Sequence, residues 1–357
     1  MAYTWRRGRC ALARVLLLAA AAAVLAVIAY TQSASAAHHR HRHGAKRAAP
    51  PRGLITGSYA AAAGRLGYEL YVPATYKPGR ALPLVVALHG CTQTADQFRQ
   101  LTRFDALAAA KGFIVAFPEQ SASNNVFRCW NWFQDQDTHR GTAEPALIAG
   151  ITSRIRRRYT IDARRIYVAG FSAGAAMAEV MAATYPDIYA AVGVGSGCEY
   201  HAGAPCAGFR SADPEQAGRA AYQAMGRRAR MVPFIAFQGD QDTIVPPVNA
   251  QQLVRAGQVT ADWADDGSEN GSVPSAPTRS ALAQTRAGQS YTTSDYTDGH
   301  GHELAQLWVV HGMSHAWSGG NPAQQWSYPA GPDETAAIYG FFTTHPAAKA
   351  ATSPGRH

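Results

Sequence analysis

Tyr167-Val168-Ala169-Gly170-Phe171-Ser172-Ala173-Gly174-Ala175-Ala176-Met177 decides how this chain is read. A short apolar strand runs into Gly170-Phe171-Ser172-Ala173-Gly174, and a small-residue helix leaves it toward Tyr185-Pro186. This is a G-x-S-x-G nucleophile elbow in its strand–turn–helix setting. The serine must occupy a sharp, strained turn for its hydroxyl to project above a sheet. Side chains two residues to either side would collide there, so both positions are Gly. An ordinary Gly-rich turn between strand and helix is the plain alternative, and the downstream residues decide between the two.

Chain order supplies the partners, acid first and histidine last. Pro233-Phe234-Ile235-Ala236-Phe237-Gln238 has the pattern of a buried strand and ends in Gly239-Asp240-Gln241-Asp242-Thr243. An acid just past a strand lies at the carboxyl edge of the sheet, where open α/β sheets build their sites. Asp240 and Asp242 compete. Asp240 suits capping of the turn, and Asp242 sits further out and is the favoured acid. Leu304 to Val310 reads as a later strand opening into His311-Gly312-Met313-Ser314-His315-Ala316-Trp317. His315 is the candidate base, which would take the Ser172 proton while Asp242 holds the imidazole tautomer. His311 ends the strand, and His300 and His302 lie in a polar turn with no third metal ligand nearby.

An early buried strand, Leu84 to Leu88, precedes His89-Gly90-Cys91-Thr92-Gln93. The loop after such a strand supplies one oxyanion N–H and the residue after the nucleophile supplies the other. These are the backbone amides of Cys91 and Ala173. His89 is read as shaping the loop. Trp130, Trp132 and Trp317 flank the site in sequence and are either an apolar substrate wall or core packing.

His89-Gly90-Cys91-Thr92-Gln93, Arg128-Cys129-Trp130-Asn131-Trp132-Phe133, Gly170-Phe171-Ser172-Ala173-Gly174 and Gly312-Met313-Ser314-His315-Ala316-Trp317 resemble the polyhydroxybutyrate depolymerase family of secreted esterases. That family is similar to feruloyl and acetylxylan esterases. The resemblance covers about Ser58 to His345. It implies an α/β-hydrolase fold, a Ser172–Asp242–His315 triad, oxyanion donors at Cys91 and Ala173, and no cofactor. Ser314 departs from the pattern, standing where the family has a glycine.

The chain has 357 residues, 47% hydrophobic, with a formal charge of +9. Residues 1–52 hold nine Lys and Arg and no acid, so the body is formally neutral and gives no reason to expect nucleic acid as a partner. Residues 1–37 read as an export signal. Arg6, Arg7, Arg9 and Arg14 precede an apolar run from Val15 to Tyr30 and the small-residue site Ala34-Ser35-Ala36. The run is shorter than the ~20 residues a spanning helix needs, so no stable membrane insertion is expected after cleavage. Arg6-Arg7 leaves a twin-arginine route open. Residues 38–57 read as a His-, Arg- and Pro-rich linker, a solvated tether or a weak metal holder. Export leaves four cysteines. Cys198 and Cys206 bracket a short loop and pair naturally, which leaves Cys91 for Cys129; free buried thiols are the alternative. The Cys91–Cys129 bridge would pin the oxyanion loop, and the Cys198–Cys206 bridge closes a loop with no catalytic assignment.

Strands alternating with helices imply a mostly parallel sheet covered on both faces. The catalytic domain is placed at residues 58–346, with 257–289 as a polar insertion on the catalytic edge and a disordered tail from Ala347. The reading is a secreted, monomeric serine esterase acting on an ester or polyester substrate, with poly(3-hydroxybutyrate)-type polyester or its oligomers favoured. A feruloyl or acetylxylan esterase, an envelope acyltransferase and a non-catalytic surface binding protein are the alternatives.

Overall fold

The computed structural model describes residues 50–207 and 213–348. The expected export signal and most of the expected linker lie outside the described residues. A ten-stranded sheet organises the chain. Its strands are β1 (Gly53–Ala61), β2 (Gly64–Val72), β3 (Leu82–Leu88), β4 (Ile114–Glu119), β5 (Ile161–Phe171), β6 (Val192–Gly195), β7 (Phe234–Gly239), β8 (Arg279–Gln284), β9 (Ser290–Thr297) and β10 (Glu303–Val310). Their spatial order is β1-β2-β4-β3-β5-β6-β7-β10-β9-β8. The six strands from β4 to β10 run parallel, and antiparallel pairs close both edges.

Side chains alternate across β3. Leu84, Val86 and Leu88 join one buried cluster, Val85 and Ala87 the other. This two-fold period requires cover on both faces. One face is covered by α3 (Ala143–Arg158), α4 (Ala173–Thr184) and α6 (Val248–Asp266). The other is covered by α1 (Ala95–Thr102), α2 (Phe104–Lys111) and α7 (Glu334–Thr344). A further helix, α5 (Pro214–Met225), packs on α6. The Arg run of α3 is exposed, as a solvated face should be.

Three expected boundaries shift. Residues 53–57, assigned to the linker, are the start of β1, which pairs along its length with β2. Residues 257–289 are not one insertion: the stretch to Asp266 is the second half of α6, with Val259 and Ala261 buried, and β8 is an edge strand of the main sheet. Ala347, placed in the tail, is held by Arg164, whose carbonyl accepts the Ala347 N–H at 2.8 Å and whose Nε donates to the Ala347 carbonyl at 2.7 Å. No helix among the described residues is long and apolar enough to cross a membrane.

Candidate active site

β5 delivers Ser172 to the carboxyl edge of the sheet. Ser172 takes φ 55°, ψ −122°, a region costly for a side-chain-bearing residue, of order 1–3 kcal/mol. The surroundings hold it there. Its N–H donates to the Gly195 carbonyl at 2.9 Å, and α4 begins at the next residue. A Cβ at Gly170 would lie 2.1 Å from the Gly174 carbonyl oxygen, and one at Gly174 would lie 2.1 Å from that of Leu88. The second contact presses the elbow against the end of β3, so Ser172 and the loop after β3 share one rigid junction.

Asp242 follows β7. Its Oδ1 accepts the N–H groups of Ile244 and Val245, both at 2.9 Å. Its Oδ2 lies 2.7 Å from His315 Nδ1 and accepts Gln238 Nε2 at 3.2 Å. Acid and imidazole are both buried. With Nδ1–H on the carboxylate, the lone pair of His315 is on Nε2, the arrangement a general base needs. The ring packs 4.8 Å from Phe171 and 5.7 Å, edge-on, from Trp326. Ser172 and His315 line one cavity of about 200 Å³. Ser314 has no positive φ; Gly312 takes that conformation at 75°, so a serine at 314 is unstrained.

Asp240 does not reach His315. Its Oδ2 lies 3.0 Å from His311 Nδ1 and its Oδ1 accepts the Gly312 N–H at 2.7 Å. Burial pushes this carboxyl up, but the bonds from His311, Gly312 and Gln241 outweigh it and hold it below the usual carboxylate range. His300 and His302 belong to an exposed turn capped by Asp298. No group of three or more His, Cys, Asp or Glu among the described residues can hold a metal ion.

The loop after β3 is fastened from several sides. Cys91 is bonded to Cys129, and Cys198 to Cys206. The His89 carbonyl accepts Trp130 Nε1 at 3.0 Å. His89 Nε2 accepts the Gln120 N–H at 3.0 Å, so Nδ1 carries the proton and donates to the Gly90 carbonyl at 2.8 Å. Burial, opposed by that bond and aided by the Arg128 charge, lowers its pKa to about 4. His89 is therefore a neutral strut. The N–H groups of Cys91 and Ala173 donate to no protein acceptor among the described residues. Ala173 is also the first residue of a helix, where the dipole favours negative charge.

The three tryptophans separate. Trp132 lines the cavity. Trp130 and Trp317 do not: both are fully buried. Trp130 braces His89. Trp317 packs on Phe98, Phe104 and Phe171, with its Nε1 on Thr335 Oγ1 at 3.0 Å. As a substrate wall these two are corrected to core. The wall instead includes Trp326, Ile244 and Val245, none singled out from the sequence. Ile244 and Val245 carried a signal, being an apolar pair two residues past the acid. Trp326 carried none, since its loop is polar and eleven residues beyond His315.

A sheet in this strand order, with Ser172 after β5, Asp242 after β7 and His315 after β10, defines an α/β-hydrolase. The fold is shared with a solved acetyl xylan esterase from Aspergillus awamori, at TM-score 0.60 and 25% identity over 73% of this chain and 94% of that one. Residues 66–261, more than half of the chain, match the family described as Esterase PHB depolymerase, and the chain belongs to that family. It is 46% identical over 108 residues to poly(3-hydroxyalkanoate) depolymerase C of Paucimonas lemoignei, and 39% identical over 140 residues to acetylxylan esterase A of Emericella nidulans. These matches cover 30% and 38% of this chain, and only 26% and 44% of the two relatives.

Proposed function

We propose that the protein is a secreted serine hydrolase of carboxylic esters that works through an acyl-enzyme. Ser172 attacks the ester carbonyl, and His315 Nε2 takes its proton and passes it to the leaving alcohol. Water, activated by the same nitrogen, then releases the acid. Asp242 fixes the tautomer and stabilises the imidazolium. The tetrahedral oxyanion is received by the N–H groups of Cys91 and Ala173, each worth roughly 2.7–4 kcal/mol in the transition state. The observation carrying this reading is the buried 2.7 Å Asp242–His315 pair on the cavity that Ser172 lines. Two disulfides support an oxidising compartment.

Polyester is the favoured substrate class. Ile244, in the cavity wall, is 43% exposed. Phe133, 44% exposed, stacks edge-on against Trp132 of the same wall. Val126 and Phe127, at 76% and 66%, form a loop tip whose Phe127 carbonyl accepts the N–H of the cavity residue Thr92 at 2.6 Å. Apolar surface this close to a cleft suits an apolar polymer better than a sugar chain. The likeness to acetylxylan esterases supports a second reading, deacylation of xylan. Release of 3-hydroxybutyrate from polyester particles, measured beside release of acetate or ferulate from acylated xylan, tests the choice. Faster release from polyester is expected. Turnover of xylan esters alone would overturn the polyester reading, and no turnover of any ester, p-nitrophenyl butyrate included, would overturn the hydrolase.

A further inference from the structure

We propose that Asp240, through His311 and Gly312, is a positioning residue that sets the register of the loop carrying His315, with the hairpin β8–β9 as its brace. This rests on the triad assignment above. β7 and β10 are parallel neighbours, with Gly239 beside Val310. The loops leaving them are zipped together. The Asp240 N–H donates to the Val310 carbonyl at 3.3 Å and the Gln241 N–H to that of Met313 at 3.0 Å. Between these rungs the Asp240 carboxylate grips Gly312 N–H with one oxygen and His311 Nδ1 with the other. The next side-chain rung is Asp242 to His315.

The two loops advance unequally. From Asp240 to Asp242 is two residues, but from His311 to His315 is four. The longer loop absorbs the excess in a turn, where the Met313 N–H meets the Val310 carbonyl at 3.3 Å and Gly312 has positive φ. A turn whose glycine bears no side chain has other conformations open to it, and each would displace His315. Asp240 selects one by bonding both residues at the turn's start. A displacement of about 1 Å in a reacting group can cost roughly 10²-fold in rate.

His311 is held from the other side as well. Thr292 Oγ1 lies 2.9 Å from its Nε2, and its N–H donates to the Ser290 carbonyl at 3.1 Å. Gln289 Nε2 donates to the His311 carbonyl. All three partners are on β9 or the turn before it, which gives the β8–β9 pair a task beyond closing the sheet edge. Asp240 is no packing residue: its side chain is 31% exposed, so its loss opens no cavity.

The full-length protein is compared with Asp240→Ala, Asp240→Asn and Asp242→Asn on p-nitrophenyl butyrate, with melting temperatures and the low-field proton resonance of His315 Nδ1–H. Asp240→Ala should lower kcat about 10- to 100-fold, leave KM within about twofold, and broaden the resonance while the protein stays folded. Asp240→Asn should recover most of the loss, because its amide oxygen still accepts the Gly312 N–H and its NH₂ can meet the other His311 tautomer. Asp242→Asn should lose about 10⁴, the scale for a wrongly held tautomer. Parent kcat in Asp240→Ala, or equal damage from Ala and Asn, overturns the positioning role. Asp240→Asn as harmful as Asp242→Asn means that the acid itself is wrongly assigned, a failure of the triad.

Discussion

Trp132 Nε1 donates to the Gly203 carbonyl at 3.2 Å, so an aromatic wall of the cavity lined by Ser172 is fastened to the loop closed by Cys198–Cys206. The end of that loop, Cys206 and Ala207, lines the cavity itself. The loop is a wall of the site, and the bridge is more than a staple.

The two bridges should therefore fail differently. Replacing Cys198 and Cys206 by Ala removes a short closed loop, worth about 2.5 kcal/mol on the chain-entropy account. It should raise KM several-fold and leave kcat within about threefold. Replacing Cys91 and Cys129 by Ala removes about 4 kcal/mol and should lower kcat about tenfold, because the Cys91 N–H is loosened. Steady-state kinetics at a temperature where circular dichroism shows both variants folded checks this. Matching effects on KM and kcat in the two variants would remove the distinction.

Buried carboxyls away from the chemistry give stability a pH dependence. Glu179 on α4 and Glu199 on the Cys198–Cys206 loop line a second cavity whose lining holds no Lys, Arg or His. Neither oxygen of Glu199 has a hydrogen-bond partner among the described residues. Burial, then the charge of Glu199, raises the Glu179 carboxyl from 4.5 to about 8; burial raises Glu199 to about 7. In that window the native protein keeps protons that the unfolded chain has lost, so stability falls as pH rises from about 4.5 toward 8. The Glu179→Gln, Glu199→Gln variant should melt a few degrees above the parent at pH 8.5, with the gap closing by pH 5. A gap independent of pH would mean that the pair does not titrate between the two states.

The exposed apolar tip should matter for polymer and not for small esters. Val126→Ser with Phe127→Ser should lower release of 3-hydroxybutyrate from suspended polyester several-fold, with kcat on p-nitrophenyl butyrate within about twofold. Adsorption of the inactive protein to the particles, read by depletion from solution, should fall in parallel. Unchanged adsorption would take the tip out of substrate contact.

What could be read beforehand was what is local. The Gly170 and Gly174 spacing is demanded by contacts within a few residues of Ser172, so it is written in one short stretch. Asp242 and His315 each follow a buried strand whose apolar run is plain. Exposure was not legible: Trp130 and Trp317 occur beside site residues in sequence, but their rings point into the core, and composition does not record direction. The β8–β9 hairpin was missed because β8 is an edge strand facing solvent, where Ala281, Leu282 and Ala283 stand in a row between polar residues and give no two-residue apolar alternation. The apolar spacing between β3 and β4 does not show that the segment is two helices, α1 and α2, broken where Arg103 takes φ 55°, a conformation its side chain does not announce. The pairing of Asp240 with His311 needed the register of β7 against β10, which no single segment contains.

The most direct measurement is the turnover of purified Ser172→Ala on p-nitrophenyl butyrate. The side chain is small and stands at the end of a strand, so the variant should fold, with a circular dichroism spectrum matching the parent. Its kcat should fall by roughly 10⁶, the scale for losing a triad nucleophile. A folded variant that keeps more than a few per cent of parent turnover would contradict Ser172 as the attacking group, and with it the reading of the whole site.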